Sequence, residues 1–201
     1  MLRATIYPLL RRSINLYLHL VHEEADGRLH LDATYSPETG VFKDANFDLA
    51  LFKWGCHILL KSCKRLAIDD PLIPRWREVI ERLVDFSADA KGFMLGGEQT
   101  AWDDHRHLSQ LLMIYPLYLV NIEQDGTQDV LARSYELAHN GVGSDGSEEL
   151  GNLHGMVQTH AGPIGTAIGQ GDRALEGLKR LQAELHPNGL WSCGGNPCVE
   201  S

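Results

Sequence analysis

The stretch DANFDLALFKWGCHILLKSCKRLAI, residues 44–68, decides the fold class. It reads as one long helix with Asp44 ahead of it as the expected N-cap. Asp48 lies one turn further on, on the same face as Asp44, where an acid offsets the helix macrodipole. Cys56 and Cys63 are seven apart, hence on one helix face, and buried free thiols are the expectation for both.

Working outward, IYPLLRRSINLYLHLVHEE (6–24) places Ile6, Leu9, Leu10, Ile14, Tyr17, Leu18 and Val21 at the three-and-four spacing of an amphipathic helix. DDPLIPRWREVIERLVDF (69–86) opens another, with Pro74 in its first turn and a Trp76, Val79, Ile80, Leu83 stripe. Three more helical segments follow at GTQDVLARSYELAHN (126–140), GNLHGMVQTHAGPIGTAIGQ (151–170) and DRALEGLKRLQAEL (172–185). Between the first two helices ADGRLHLDATYSPETG (25–40) carries an Asp-Gly turn, a short alternating stretch and a Ser-Pro break. Strand signals are few, and the tail HPNGLWSCGGNPCVES (186–201) reads as a loop. The expected class is all-α: helix pairs joined by uneven loops, as in an α/α solenoid or toroid. No fixed-length repeat supports a TPR, ankyrin or HEAT array. The chain opens inside a helix and stops after a glycine-rich loop, so residues 1–201 are expected to be a single domain that is part of a larger one.

The 201 residues are 43% hydrophobic with a formal net charge of −9. That charge argues against nucleic-acid and anionic-membrane partners. No run approaches the roughly 18 apolar residues of a membrane span, and the start lacks the pattern of a signal peptide. Cys193 and Cys198 flank a Gly-Gly-Asn-Pro loop, whose geometry allows a disulfide between them. No CxxC pair, GxxxxGK[ST] loop, GxSxG elbow or HExxH motif is present, so neither metal nor cofactor is expected.

One polar cluster stands out. AWDDHRHLSQLL (101–112) sets Asp103, Asp104, His105, Arg106 and His107 directly against an apolar run. Two readings are open: an exposed helix start capped by Asp104, or the wall of a polar pocket. His105 and His107 are two apart and diverge on a helix, which disfavours a shared metal. Imidazole and guanidinium groups suit sugar hydroxyls, and Trp102 offers a face on which a pyranose could stack. Glu38 sits in a Pro-initiated turn from which a carboxyl can project into a cavity. Asn196, after Gly194 and Gly195, could donate or accept a hydrogen bond.

Taken in order, SPE (36–38), NFDLALF (46–52), HRHLSQLLMIYP (105–116), THAGPIGTAIGQGDRAL (159–175) and GGNPCVES (194–201) resemble glycoside hydrolase family 95. That family includes α-L-fucosidases and α-L-galactosidases on an (α/α)6 toroid of the six-hairpin glycosidase kind. The resemblance covers the later part of such a catalytic domain, incomplete at both ends. It implies an inverting mechanism, in which one carboxylic acid protonates the glycosidic oxygen and a base activates water on the opposite face. Glu38 matches the family's general acid, and His105, Arg106 and His107 match its sugar-contacting segment, with Trp102 and Asn196 as further contacts. The implied substrate is an oligosaccharide or glycoconjugate. The family is often secreted or periplasmic; the chain itself leaves the compartment open.

Two positions depart from the family pattern. Gln110 stands where a further family histidine would fall, and Gly194 stands at the aspartate expected to help activate water. A glycine cannot accept a proton. A non-catalytic carbohydrate-binding or vestigial domain is therefore the alternative, with another toroid enzyme such as a polysaccharide lyase as a third.

Overall fold

The computed structural model describes residues 1–36, 40–99, 107–139, 155–184, 191–193 and 196–198. The chain is mainly helical. A π-helical turn, Leu2–Ile6, runs into α1, Tyr7–Leu20, which has Pro8 in its first turn. Tyr7 and Ile14 are its buried residues, while Ile6 and Leu9 of the apolar stripe are 42% and 59% exposed. The inner face is thus rotated towards Tyr7, Leu10, Ile14, Tyr17 and Leu18, which pack together with the core.

Strand content exceeds the all-α expectation. The alternating stretch forms hairpins: β1 (Val21–Glu23) pairs antiparallel with β2 (Leu29–Leu31), and β3 (Thr34–Ser36) with β4 (Gly40–Phe42). The Asp26-Gly27 turn closes the first, with Gly27 at φ +76°, a region open to glycine at little cost. Two more hairpins follow, β5 (Ala88–Asp89) with β6 (Gly92–Phe93), and β7 (Trp191–Cys193) with β8 (Asn196–Cys198). The last gives the tail an element that its glycines and prolines concealed. Three-residue strands carry too little alternation for the sequence to announce them.

The deciding stretch forms α2, Asn46–Leu66, followed by α3, Ile73–Arg82, with Pro74 in its first turn. Asp44 does not cap α2. The N-cap is Ala45, and the Asp44 carboxylate accepts the Leu31 N–H at 2.8 Å and meets His30 Nδ1 at 2.8 Å instead. A buried carboxylate gains more from an otherwise unpaired strand N–H and an imidazole than from a helix end. Cys56 and Cys63 are buried free thiols. Burial pushes the Cys56 thiol up to about 12, which makes it inert at neutral pH.

Helices pack in chain order: α1 on α2, α2 on α3, then α4 (Gln128–His139) on α5 (Gly155–Ala167) and α5 on α6 (Gly171–Glu184). The α1–α2 contact needs Gly55, where an added Cβ would lie 2.1 Å from Ile14 Cδ1. One core gathers Ile14, Leu31, Phe52, Leu59, Trp76 and Val79; the other gathers Leu111, Met113, Ile114, Leu131, Tyr135 and Ile164, with Phe86 packed against both. Among the described residues no helix is long and apolar enough to cross a membrane.

Asp70 ties the α2–α3 connection back to α1. It accepts the Tyr7 hydroxyl at 2.7 Å, Arg11 Nε at 2.6 Å and the Leu72 N–H at 3.0 Å. Burial alone would raise this carboxyl; the hydrogen bonds from Arg11 and Tyr7 outweigh it and bring it from 3.8 to about 2. A depressed carboxylate contributes stability that is present above its unfolded value and lost as pH falls through its folded one. The Arg11 side chain is 34% exposed, so solvent screening limits that contribution to about 1 kcal/mol. Asp70→Asn is expected to lower the urea midpoint at pH 7 and to remove part of the acid-induced decline between about pH 4 and pH 2. Parallel stability curves for variant and parent over that interval would refute the assignment.

Candidate functional site

The site is built from the first turn of α2 outward. Asn46 is fully buried and works as a bracket. Its Nδ2 donates to the carbonyls of Ser87 at 2.9 Å and Met94 at 2.8 Å, and its Oδ1 accepts the Ser87 N–H at 3.0 Å. Its own N–H donates to the Leu95 carbonyl at 3.0 Å. The start of α2 is thereby pinned to the segment around β5 and β6, and Phe47, the next residue, forms one wall of a cavity of about 180 Å³.

The second wall is the segment after the polar cluster. The apolar run 108–120 is not a regular helix: it holds one 3₁₀ turn, Ser109–Leu111, and then successive turns. Pro116, joined to Tyr115 by a cis peptide bond, has no N–H to give and bars helix continuation. Leu111, Met113 and Ile114 turn into the core, while His107, Ser109, Leu112 and Tyr115 face the cavity. The third wall is α5, whose His160 and Ile164 are four residues apart and so share one face.

Two imidazoles, a hydroxyl and two aromatic rings thus meet over an apolar floor. Such a set donates and accepts hydrogen bonds around a ring-sized polar ligand while offering it flat apolar surface. Gln110 is buried beside this wall, and its Oε1 has no hydrogen-bond partner among the described residues. A larger groove of about 450 Å³ runs along α2 and α3, lined by Lys61, Lys64, Ile68 and Arg77. None of the motif segments reaches it, so the smaller cavity is the better candidate.

A model of the glycosyl hydrolase family 95 catalytic domain matches residues 1–183. The chain belongs to glycosyl hydrolase family 95. No curated protein sequence matches it. Family membership makes it glycosidase-like, with a carbohydrate as the class of substrate.

Of the family's expected contacts, His107 lies on the cavity wall. Glu38, Trp102, His105 and Arg106 lie outside the described residues. The stem on either side of Glu38 is described, with Ser36 paired to Gly40. Asn196 stands in β8 opposite Cys193; its side chain lies outside the described residues, as does Gly194. Phe47, Ser109, Tyr115 and His160 also line the cavity and were not singled out from the sequence. The signal was at hand, since each falls inside one of the family-like segments, NFDLALF, HRHLSQLLMIYP or THAGP. Among the described residues no group of three or more His, Cys, Asp or Glu side chains is arranged to hold a metal ion.

Proposed function

We propose that this family 95 domain hydrolyses a terminal α-L-fucosyl or related glycosidic bond with inversion, and that the cavity between Phe47, His107, Tyr115 and His160 receives the terminal sugar. One observation carries the reading. Three family-like segments, separated by about 60 and 50 residues in the chain, supply the walls of a single cavity. Glu38 serves as general acid, giving its proton to the glycosidic oxygen as the bond to the anomeric carbon breaks. Its carboxyl must then stay protonated near neutral pH, which burial against a bound sugar supplies. Consecutive helix pairing fits part of an (α/α)6 toroid.

A second reading has its own support. No carboxylate is among the described residues lining the cavity, and Gly194 stands where the family places an aspartate. A domain that binds a sugar without hydrolysing it would show this pattern.

Proton NMR of the first sugar released from α-L-fucosides and α-L-galactosides separates these readings. The β-anomer appearing first is the expected result. The α-anomer first would overturn inversion, and an unsaturated, ultraviolet-absorbing product from a separate incubation with a uronic-acid polysaccharide would make the domain a lyase. Saturable binding with no release over long incubation would establish the binding domain.

A further inference from the structure

The β3–β4 hairpin, which leads into and out of the segment holding Glu38, is held by its root. Its strands are three residues each, too short to be stable alone. Its outer face is bare: Tyr35 and Val41, paired across the strands, are 65% and 61% exposed. What fixes its direction must therefore lie at the base.

Two buried carboxylates stand there. Asp44, just beyond β4, is held by the Leu31 N–H and by His30, whose Nε2 in turn meets Asp26 at 3.1 Å. Burial alone would lower the His30 imidazole, and the carboxylates of Asp44 and Asp26 outweigh it, so this ring is held above its ordinary value. Asp48 holds the other strand. One of its oxygens accepts the Thr34 hydroxyl at the start of β3, and the other accepts the Tyr17 hydroxyl of α1 at 2.6 Å. Tyr17 is itself stacked on Phe52 of α2, with ring centroids 5.2 Å apart. Burial, then the Asp48 carboxylate, hold the Tyr17 phenol well above its ordinary value, so it stays a donor.

Asp48 directly follows Phe47, which lines the cavity. One carboxylate thus joins the helical turn that forms the sugar-binding wall to the strand that leads to Glu38. We infer that Asp48, acting through Thr34, is a positioning residue that sets the Glu38 hairpin relative to the cavity. This inference rests on Glu38 being the general acid. Macrodipole compensation, the usual role of an acid in a first turn, does not account for a carboxylate whose two oxygens are both engaged by other elements.

The test compares two leaving groups. An oligosaccharide needs its leaving oxygen protonated; a glycosyl fluoride releases fluoride without help from the acid. Thr34→Val removes the tie and keeps the side-chain shape. It is expected to lower kcat on the oligosaccharide by about 10- to 100-fold, the scale of a misplaced catalytic group. KM, fluoride hydrolysis and the melting temperature should stay close to the parent's, and Thr34→Ser, which keeps the hydroxyl, should restore kcat. Equal loss on both substrates, or no loss on either while Glu38→Gln is inactive on the oligosaccharide, would overturn the positioning role alone. Full oligosaccharide turnover by Glu38→Gln would remove the acid assignment and the inference with it. Asp48→Asn, measured the same way, is expected to follow Thr34→Val.

Discussion

Exchanging Glu38 for glutamine is expected to lower kcat on an oligosaccharide substrate by about 10²- to 10⁴-fold, the usual share of a general acid. Glutamine has nearly the same shape and can still donate an N–H to the glycosidic oxygen, but an amide is far too weak an acid to transfer that proton. The departing sugar oxygen would then leave as an alkoxide, which is the step the acid exists to avoid. Binding should be nearly unchanged, because the walls formed by Phe47, His107, Tyr115 and His160 are untouched. A glycosyl fluoride should be hydrolysed at close to the parent rate. The parent's kcat/KM should fall as pH rises through the acid's folded pKa, since only the protonated form works. The variant should lose that alkaline limb. Steady-state kinetics on both substrates across pH checks all of this, and an unchanged oligosaccharide kcat would sink the assignment.

The second large effect is on stability. Asn46→Ala would leave the Met94 carbonyl and the Ser87 N–H without the Asn46 partner they have now, and the Ser87 carbonyl with the Met94 N–H alone, at a residue with no exposed surface. Each buried polar group stripped of its partner costs about 1–3 kcal/mol. Allowing for partial relaxation, the variant should lose about 3–5 kcal/mol, a large part of the roughly 5–15 kcal/mol that holds a typical domain folded. Asn46→Asp separates shape from hydrogen bonding. A carboxylate can accept from Ser87 but cannot donate to two carbonyls, so this near-isostere should be destabilised almost as much. Urea unfolding of both variants is the measurement. A midpoint for Asn46→Asp close to the parent's would mean that packing, rather than the bracket, holds the start of α2.

Regular helices were legible wherever a period of three and four ran long enough. Residues 46–66, 73–82, 128–139, 155–167 and 171–184 are helical, as their patterns predict. Pro74 opens α3 because a first-turn residue needs no N–H, and Cys56 and Cys63 are both buried because seven residues make two turns. The order of the motifs was legible too, and the family match over residues 1–183 agrees with it.

The failures have a common cause. Asp44 has the sequence signature of a cap, yet its carboxylate belongs to Leu31 and His30, which lie 13 and 14 residues away. The run after His107 is apolar enough for a helix, yet Pro116 and the burial of Leu111, Met113 and Ile114 hold it in turns. Sequence pattern alone determined the helices, their order and the family, because hydrogen bonds and side-chain faces within a helix are set by near neighbours. Only the tertiary structure decided which polar groups serve as caps, brackets and ties, and which residues share a cavity. Phe47, Tyr115 and His160 meet because packing brings distant segments together, and a buried polar group takes the best partner that packing offers it.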